Sequence, residues 1–148
     1  MMNRLNRQLE YGLMALKLLA LKKAGEKSTA KEIAEKTGSP FDPMARVLQQ
    51  MKQKGLVHGE QGVQGGYLLL KDLSKVSFHD FSESLLGPMA VARCLHSKSD
   101  CELHGSCNII SPMNNFNRKL EDFYKSLTLK DVLFSETELS PSSPGVAL

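Results

Sequence analysis

Three short amphipathic helical segments, a glycine-punctuated pair of strands behind them and a second long apolar seam near the end predict the fold class. It is mainly α: a winged helix-turn-helix with a two-stranded wing and a long C-terminal dimerisation helix. At 148 residues the chain has room for one packed domain and an appendage. With 41% hydrophobic and 24% charged residues, wholesale disorder, collagen-like and low-complexity chains are excluded. The boundaries read as a reading domain over 1–77, a loop and dimerisation helices over 78–134, and a Ser/Pro/Glu-rich, disordered tail over 135–148.

The first helix carries Leu5, Leu9, Leu13, Leu16 and Ala20 near helical spacing, with Lys17, Lys22 and Lys23 polar. Lys17 interrupts the longest apolar stretch, which falls far short of the ~20 residues of a membrane span. No membrane partner is expected. Thr29-x-x-Glu32 is a capping-box signature for a second helix that Gly38 ends. Asp42 and Pro43 can cap and open a third helix, in which Met44, Val47, Leu48 and Met51 form an apolar stripe. Opposite that stripe, at about 100° per residue, stand Arg46, Gln49 and Gln53. A guanidinium and amides can make bidentate hydrogen bonds to base edges.

Gly55 ends the third helix. Leu56-Val57 and Tyr67-Leu68-Leu69-Leu70, joined through Gly62-Val63-Gln64-Gly65-Gly66, then read as a β-hairpin. No Walker lysine follows these glycines, so a nucleotide site is not indicated. Phe78, Phe81 and Leu85 share one side of a short helix closed by Gly87-Pro88. Met113, Phe116, Leu120, Phe123 and Leu127 follow at gaps of 3, 4, 3 and 4, a seam suited to another helix, most naturally that of a second copy. Thr128-x-x-Asp131 opens a last helix through Phe134.

Charge is uneven. Residues 1–77 hold 13 Lys/Arg against 7 Asp/Glu, a net of +6, and residues 78–148 hold 6 against 9, a net of −3. A basic front with an outward Arg/Gln helix and a glycine hairpin points to double-stranded DNA as partner.

Cys94, Cys101 and Cys107, every cysteine of the chain, fall within 14 residues of polar sequence. Three cysteines make no disulfide scaffold and favour a reducing, cytoplasmic setting. Soft thiolates on a polar loop suit zinc or an iron–sulfur cluster, and gaps of six and five residues differ from zinc knuckles. His96, Asp100, Glu102 and His104 are local candidates for a further ligand. Two other readings stay open: a cluster-free thiol switch, and a small iron–sulfur electron carrier. There is no nucleophile motif and no nucleotide loop, so neither an enzyme nor a small-molecule substrate is expected.

Tyr11-Gly12-Leu13-x-Ala15-Leu16, Glu32-Ile33-Ala34, Gly55-Leu56-Val57, Gly62-x-x-Gly65-Gly66-Tyr67, Gly87-Pro88 and the three spaced cysteines together resemble the Rrf2 family of bacterial regulators, the IscR/NsrR/RirA-like iron–sulfur sensors. The resemblance spans about residues 3 to 134. It implies a homodimeric winged-helix transcription regulator whose iron–sulfur cluster reports iron, redox state, nitric oxide or cluster supply. Cys94, Cys101 and Cys107 match the cluster cysteines. The histidine that IscR-like members place three residues after the last cysteine is Ile110 here, while Glu10 matches the acidic ligand that NsrR-like members supply from the partner subunit. The resemblance thus implies Cys94, Cys101 and Cys107 with the partner's Glu10, and a 4Fe-4S rather than a 2Fe-2S cluster, with His104 as the alternative fourth ligand. Many relatives carry arginine before the first wing glycine where this chain has Gln61, so the expectation is either a weaker wing or one supplied by His58 and Lys71. Candidate base contacts are Arg46 and Gln49, with Gln53, Asp42, Gln61 and Gly65 near the duplex and Arg4, Arg7, Lys31 and Lys36 on phosphates.

Overall fold

A computed structural model describes residues 5–98 and 101–134. The order is α1 (Arg7–Ala20), α2 (Ala30–Thr37), α3 (Phe41–Gln53), β1 (Val57–Glu60), β2 (Gly66–Leu69), α4 (Phe78–Leu86), α5 (Ile110–Ser126) and α6 (Leu129–Leu133), with single 3-10 turns at Leu73–Lys75 and Arg93–Leu95. The tail expected to be disordered lies outside the described residues, as does Arg4. This is the mainly helical fold with a two-stranded antiparallel sheet that the sequence predicts.

One apolar core joins α1, α2, α3, α4 and α6. Leu16, Ile33, Met44, Leu48, Met51, Phe81 and Leu129 are among its fully enclosed side chains. The whole predicted α3 stripe is buried, and Phe78, Phe81 and Leu85 of α4 are buried with it. Gly12 of α1 lets α4 approach: a Cβ there would lie 2.8 Å from Phe81 Cζ and 3.1 Å from Leu85 Cδ1.

Several boundaries differ from the sequence reading. α1 begins at Arg7 with Asn6 as its cap, which leaves Leu5 outside the helix and exposed. Thr29 caps α2 by accepting from the Glu32 N–H, but the Glu32 carboxylate takes Lys36 at 2.8 Å and Lys22 at 3.2 Å, so the capping box is only half made. Two ammonium groups outcompete one backbone N–H for that carboxylate. α3 starts at Phe41 with Pro40 in the cap position and no side-chain cap, so Asp42 lies inside the first turn, not at the cap. Asp42 there still complements the positive end of the helix. At the far end, Thr128 and Asp131 make the complete reciprocal box that opens α6.

β1 and β2 pair with Val57 opposite Leu69 and Glu60 opposite Gly66. β2 is also fastened on its other side, where Ser28 and Tyr67 exchange both backbone hydrogen bonds, at 2.9 and 2.7 Å. Gly66 makes that approach possible, since its φ is +144° and a Cβ would sit 2.9 Å from the Ser28 carbonyl. Here lies the physical content of the Gly-Gly-Tyr motif: glycine lets the strand close on the α1–α2 loop, and Tyr67 is the residue that closes it.

α5 is different in kind, because none of its 17 residues is buried. It touches the body along one edge, through the Tyr124 ring set edge-on to Phe78 at 5.3 Å and through Asn117, which accepts from the Val91 N–H at 2.9 Å. Its end is tied where the Phe78 N–H donates to the Leu127 carbonyl at 2.7 Å. Leu127 lies one residue past the helix and not in it. Among the described residues no helix is long and apolar enough to cross a membrane.

Candidate nucleic-acid interface and cysteine segment

α3 buries one side and shows the other. Arg46, Gln49 and Gln53 are all exposed on its outer face, together with Asp42 in the first turn. Phe41, which the sequence reading passed over, is also about half exposed, at 52%. A groove lined by Asn6, Arg7, Gln8, Tyr11, Pro43, Arg46 and Gln50 separates α3 from the start of α1. The structure therefore gathers Arg7 and Arg46 at one edge of the exposed α3 face. Lys31 and Lys36 are exposed on α2, with Lys36 ion-paired to Glu32. Gln61 is exposed at the tip of the wing, whereas Gly65 is half-buried in the turn back to β2.

The wing carries its own electrostatics. Glu60 pairs with Lys27 across the α1–α2 loop and lies 3.2 Å from His58. Lys27, and His58 after it, hold the Glu60 carboxyl below the usual carboxylate range. Of the two residues expected to assist the wing, His58 is thus turned toward Glu60, while Lys71 is exposed.

Cys94, Cys101 and Cys107 are free, half-buried thiols on the irregular segment between α4 and α5. The 3-10 turn at Arg93–Leu95 holds the first, and the third comes three residues before α5. Glu10, on α1, forms an ion pair with Arg7 at 2.8 Å. Among the described residues no three His, Cys, Asp or Glu side chains stand close enough to hold a metal ion together. The described residues therefore supply suitable soft donors without gathering three of them into one cage.

Two connections had no signal in the sequence. The Gln8 side-chain amide donates to the Gln50 side-chain oxygen and to the Leu85 carbonyl, the latter at 3.2 Å, joining α1, α3 and α4. Buried His79 of α4 faces Asp80 at 3.4 Å and both Glu83 and Glu121 at 3.6 Å, the last of these from α5. A lone Gln or His carries no periodicity, so only the tertiary arrangement reveals either.

The sequence matches the family described as "Rrf2: Iron-dependent Transcriptional regulator" over residues 5–135. The chain belongs to the Rrf2 family. Within it, the Streptomyces coelicolor HTH-type transcriptional repressor NsrR is 27% identical over 136 residues, covering 90% of this chain and 90% of that protein. Among solved structures, the Bacillus subtilis global cysteine regulator CymR superposes with a TM-score of 0.67 at 22% identity, over 89% of this chain and 97% of its own. The T. potens IscR structure gives a TM-score of 0.67 at 22% identity, over 97% and 95%. These likenesses establish the winged-helix fold, and membership makes the chain an Rrf2-family transcriptional regulator.

Proposed function

We propose that this Rrf2 regulator works as a homodimer on double-stranded DNA and that an iron–sulfur cluster sets its affinity for the operator. The observation that carries this reading is the position of the three free thiols: they occupy the segment that links the reading domain to α5, a helix that meets the body along one edge and has no buried residue. Arg46 and Gln49 would contact base edges, Gln53 and Asp42 would lie beside them, and Arg7, Lys31 and Lys36 would meet phosphates. Arg4 would extend the phosphate contacts, and Gln61 and Gly65 would lie against the duplex at the wing.

Cys94, Cys101 and Cys107 would hold the cluster, with Glu10 of the second subunit as fourth ligand and 4Fe-4S as its form. Bound there, the cluster would supply a redox- and iron-sensitive cross-link between the cysteine segment and a second subunit. Three accessible thiols fit soft iron chemistry. Ligation by the Glu10 carboxylate would draw negative charge away from its ion pair with Arg7, at the edge of the exposed α3 face. Carboxylate ligation is harder and weaker toward iron than thiolate, which suits a labile sensor.

The deciding experiment is anaerobic reconstitution followed by duplex binding with and without the cluster. A brown protein with bound iron, whose DNA affinity changes on cluster loss, is the expected result. A colourless, iron-free protein whose binding instead follows oxidation of the same three thiols would establish the thiol switch, a reading that rests on those cysteines being free and accessible. Glu10→Ala should alter cluster spectra or lifetime while the protein stays folded; unaltered spectra and lifetime would remove Glu10 from the ligand set.

A further inference from the structure

We infer that Gln8 is the positioning residue that sets α3 by reference to the root of the cysteine segment. This rests on the cluster-sensing reading above and adds the route by which the signal reaches the reading face.

The argument starts from the end of α4. The last carbonyls of a helix have no partner within it and must find one outside. Gly87, at φ +79°, turns the chain out of α4 and into the segment that bears Cys94. Two residues earlier, the Leu85 carbonyl is taken by the Gln8 side chain at 3.2 Å. The same amide nitrogen donates to the side-chain oxygen of Gln50. A primary amide has two N–H groups, so Gln8 spends both on these contacts. All three groups are partly buried, where a hydrogen bond is hard to exchange for water.

Gln50 lies one turn after Arg46 on α3, and both line the groove with Gln8 and Arg7. Displacing the end of α4 therefore pulls on Gln8, and Gln8 holds the side of α3 that carries Arg46. Glu10 sits two residues along α1 from Gln8. A pull on Glu10 from a second subunit would reach the same amide. One residue thus touches the reading helix and the root of the cysteine segment, and it shares a helical turn with the proposed fourth ligand.

The test is a comparison of wild type with Gln8→Met, which keeps length and removes both donors. Each protein is reconstituted anaerobically, and its affinity is measured with and without cluster on a duplex selected by wild type from a randomised pool. Allosteric couplings commonly amount to about five-fold or more in affinity. In Q8M the ratio of loaded to cluster-free affinity should fall to within about two-fold of unity, while the cluster absorbance stays that of wild type. An unchanged ratio in Q8M overturns the inference and leaves the cluster-sensing reading standing. A wild-type protein indifferent to its cluster overturns both. Should Q8M fail to fold, Gln50→Met removes the same link from the α3 side and must give the same collapse of the ratio; if it keeps the ratio, the inference falls. A merely structural role for Gln8 would lower both affinities together and leave their ratio in place.

Discussion

Arg46 stands on the exposed face of α3, at the rim of the groove that it lines with Gln8 and Gln50. If it reads a base edge, Arg46→Ala should cost about 1–3 kcal/mol of DNA binding and relax preference at one position. Lys31→Ala, by contrast, should weaken binding evenly across sequences and lower the salt slope by about one. Titrating binding against salt for both variants separates the roles, and identical slopes would refute the division. Gly12 is set by packing, since any side chain there meets Phe81 and Leu85. Gly12→Ala should therefore destabilise by about 1–3 kcal/mol in denaturant unfolding. Ser28 makes the opposite case. Its hydroxyl is buried and finds no hydrogen-bond partner among the described residues, while its backbone does the bridging to Tyr67. Removing an unpartnered buried hydroxyl relieves a desolvation cost, so Ser28→Ala should leave the melting temperature unchanged or raise it. A clear loss would mean that the hydroxyl has a partner in solution.

At the scale of elements, α6 shows what a short helix needs. Five residues cannot sustain themselves; Leu129 in the core and the Thr128–Asp131 box hold them. Thr128→Ala should cost about 1 kcal/mol. The hydrogen bonds from Thr128 keep the Asp131 carboxyl below the usual carboxylate range. Asp72 and Glu121 are lowered likewise, by Ser74 and by Lys125. Groups with lowered values contribute stability above the ordinary carboxylate range and lose it as pH falls through their own folded values. Thermal melts should therefore fall off on the acid side, and less steeply in Asp131→Asn; equal steepness would show that this carboxyl contributes nothing to the acid limb. How much of this was legible in the sequence depends on range. Local signals, namely the α3 stripe, the α4 face, the wing glycines and the Thr128 box, carry their partners within a few residues and are legible. The Glu32 carboxylate departs from its local signature because its partners include Lys22, ten residues away. The Gln8–Gln50–Leu85 link spans 42 and 77 residues and has no local trace. The same holds for the candidate site: the exposed face of α3 followed from periodicity, whereas the fourth ligand follows from none.

For the molecule as a whole, the exposed face of α5 is the feature that asks for a second copy. Phe116 is 48% and Phe123 55% exposed on a helix with no buried residue. Changing both to Ser should convert the expected dimer to monomers in sedimentation and, with only one reading head left, lower operator affinity steeply. A variant that still sediments as a dimer would move the interface elsewhere. The bridge between Ser28 and Tyr67 bears on that pairing too. With β1 on one side and Ser28 on the other, β2 has protein along both edges, and Lys27 clasps Glu60 beside it. The hairpin and the helices it accompanies then form a caliper of fixed span. A duplex whose minor groove differs from that span must itself bend or narrow to fit, so stiff and pliant tracts of identical contacted bases would be gripped unequally.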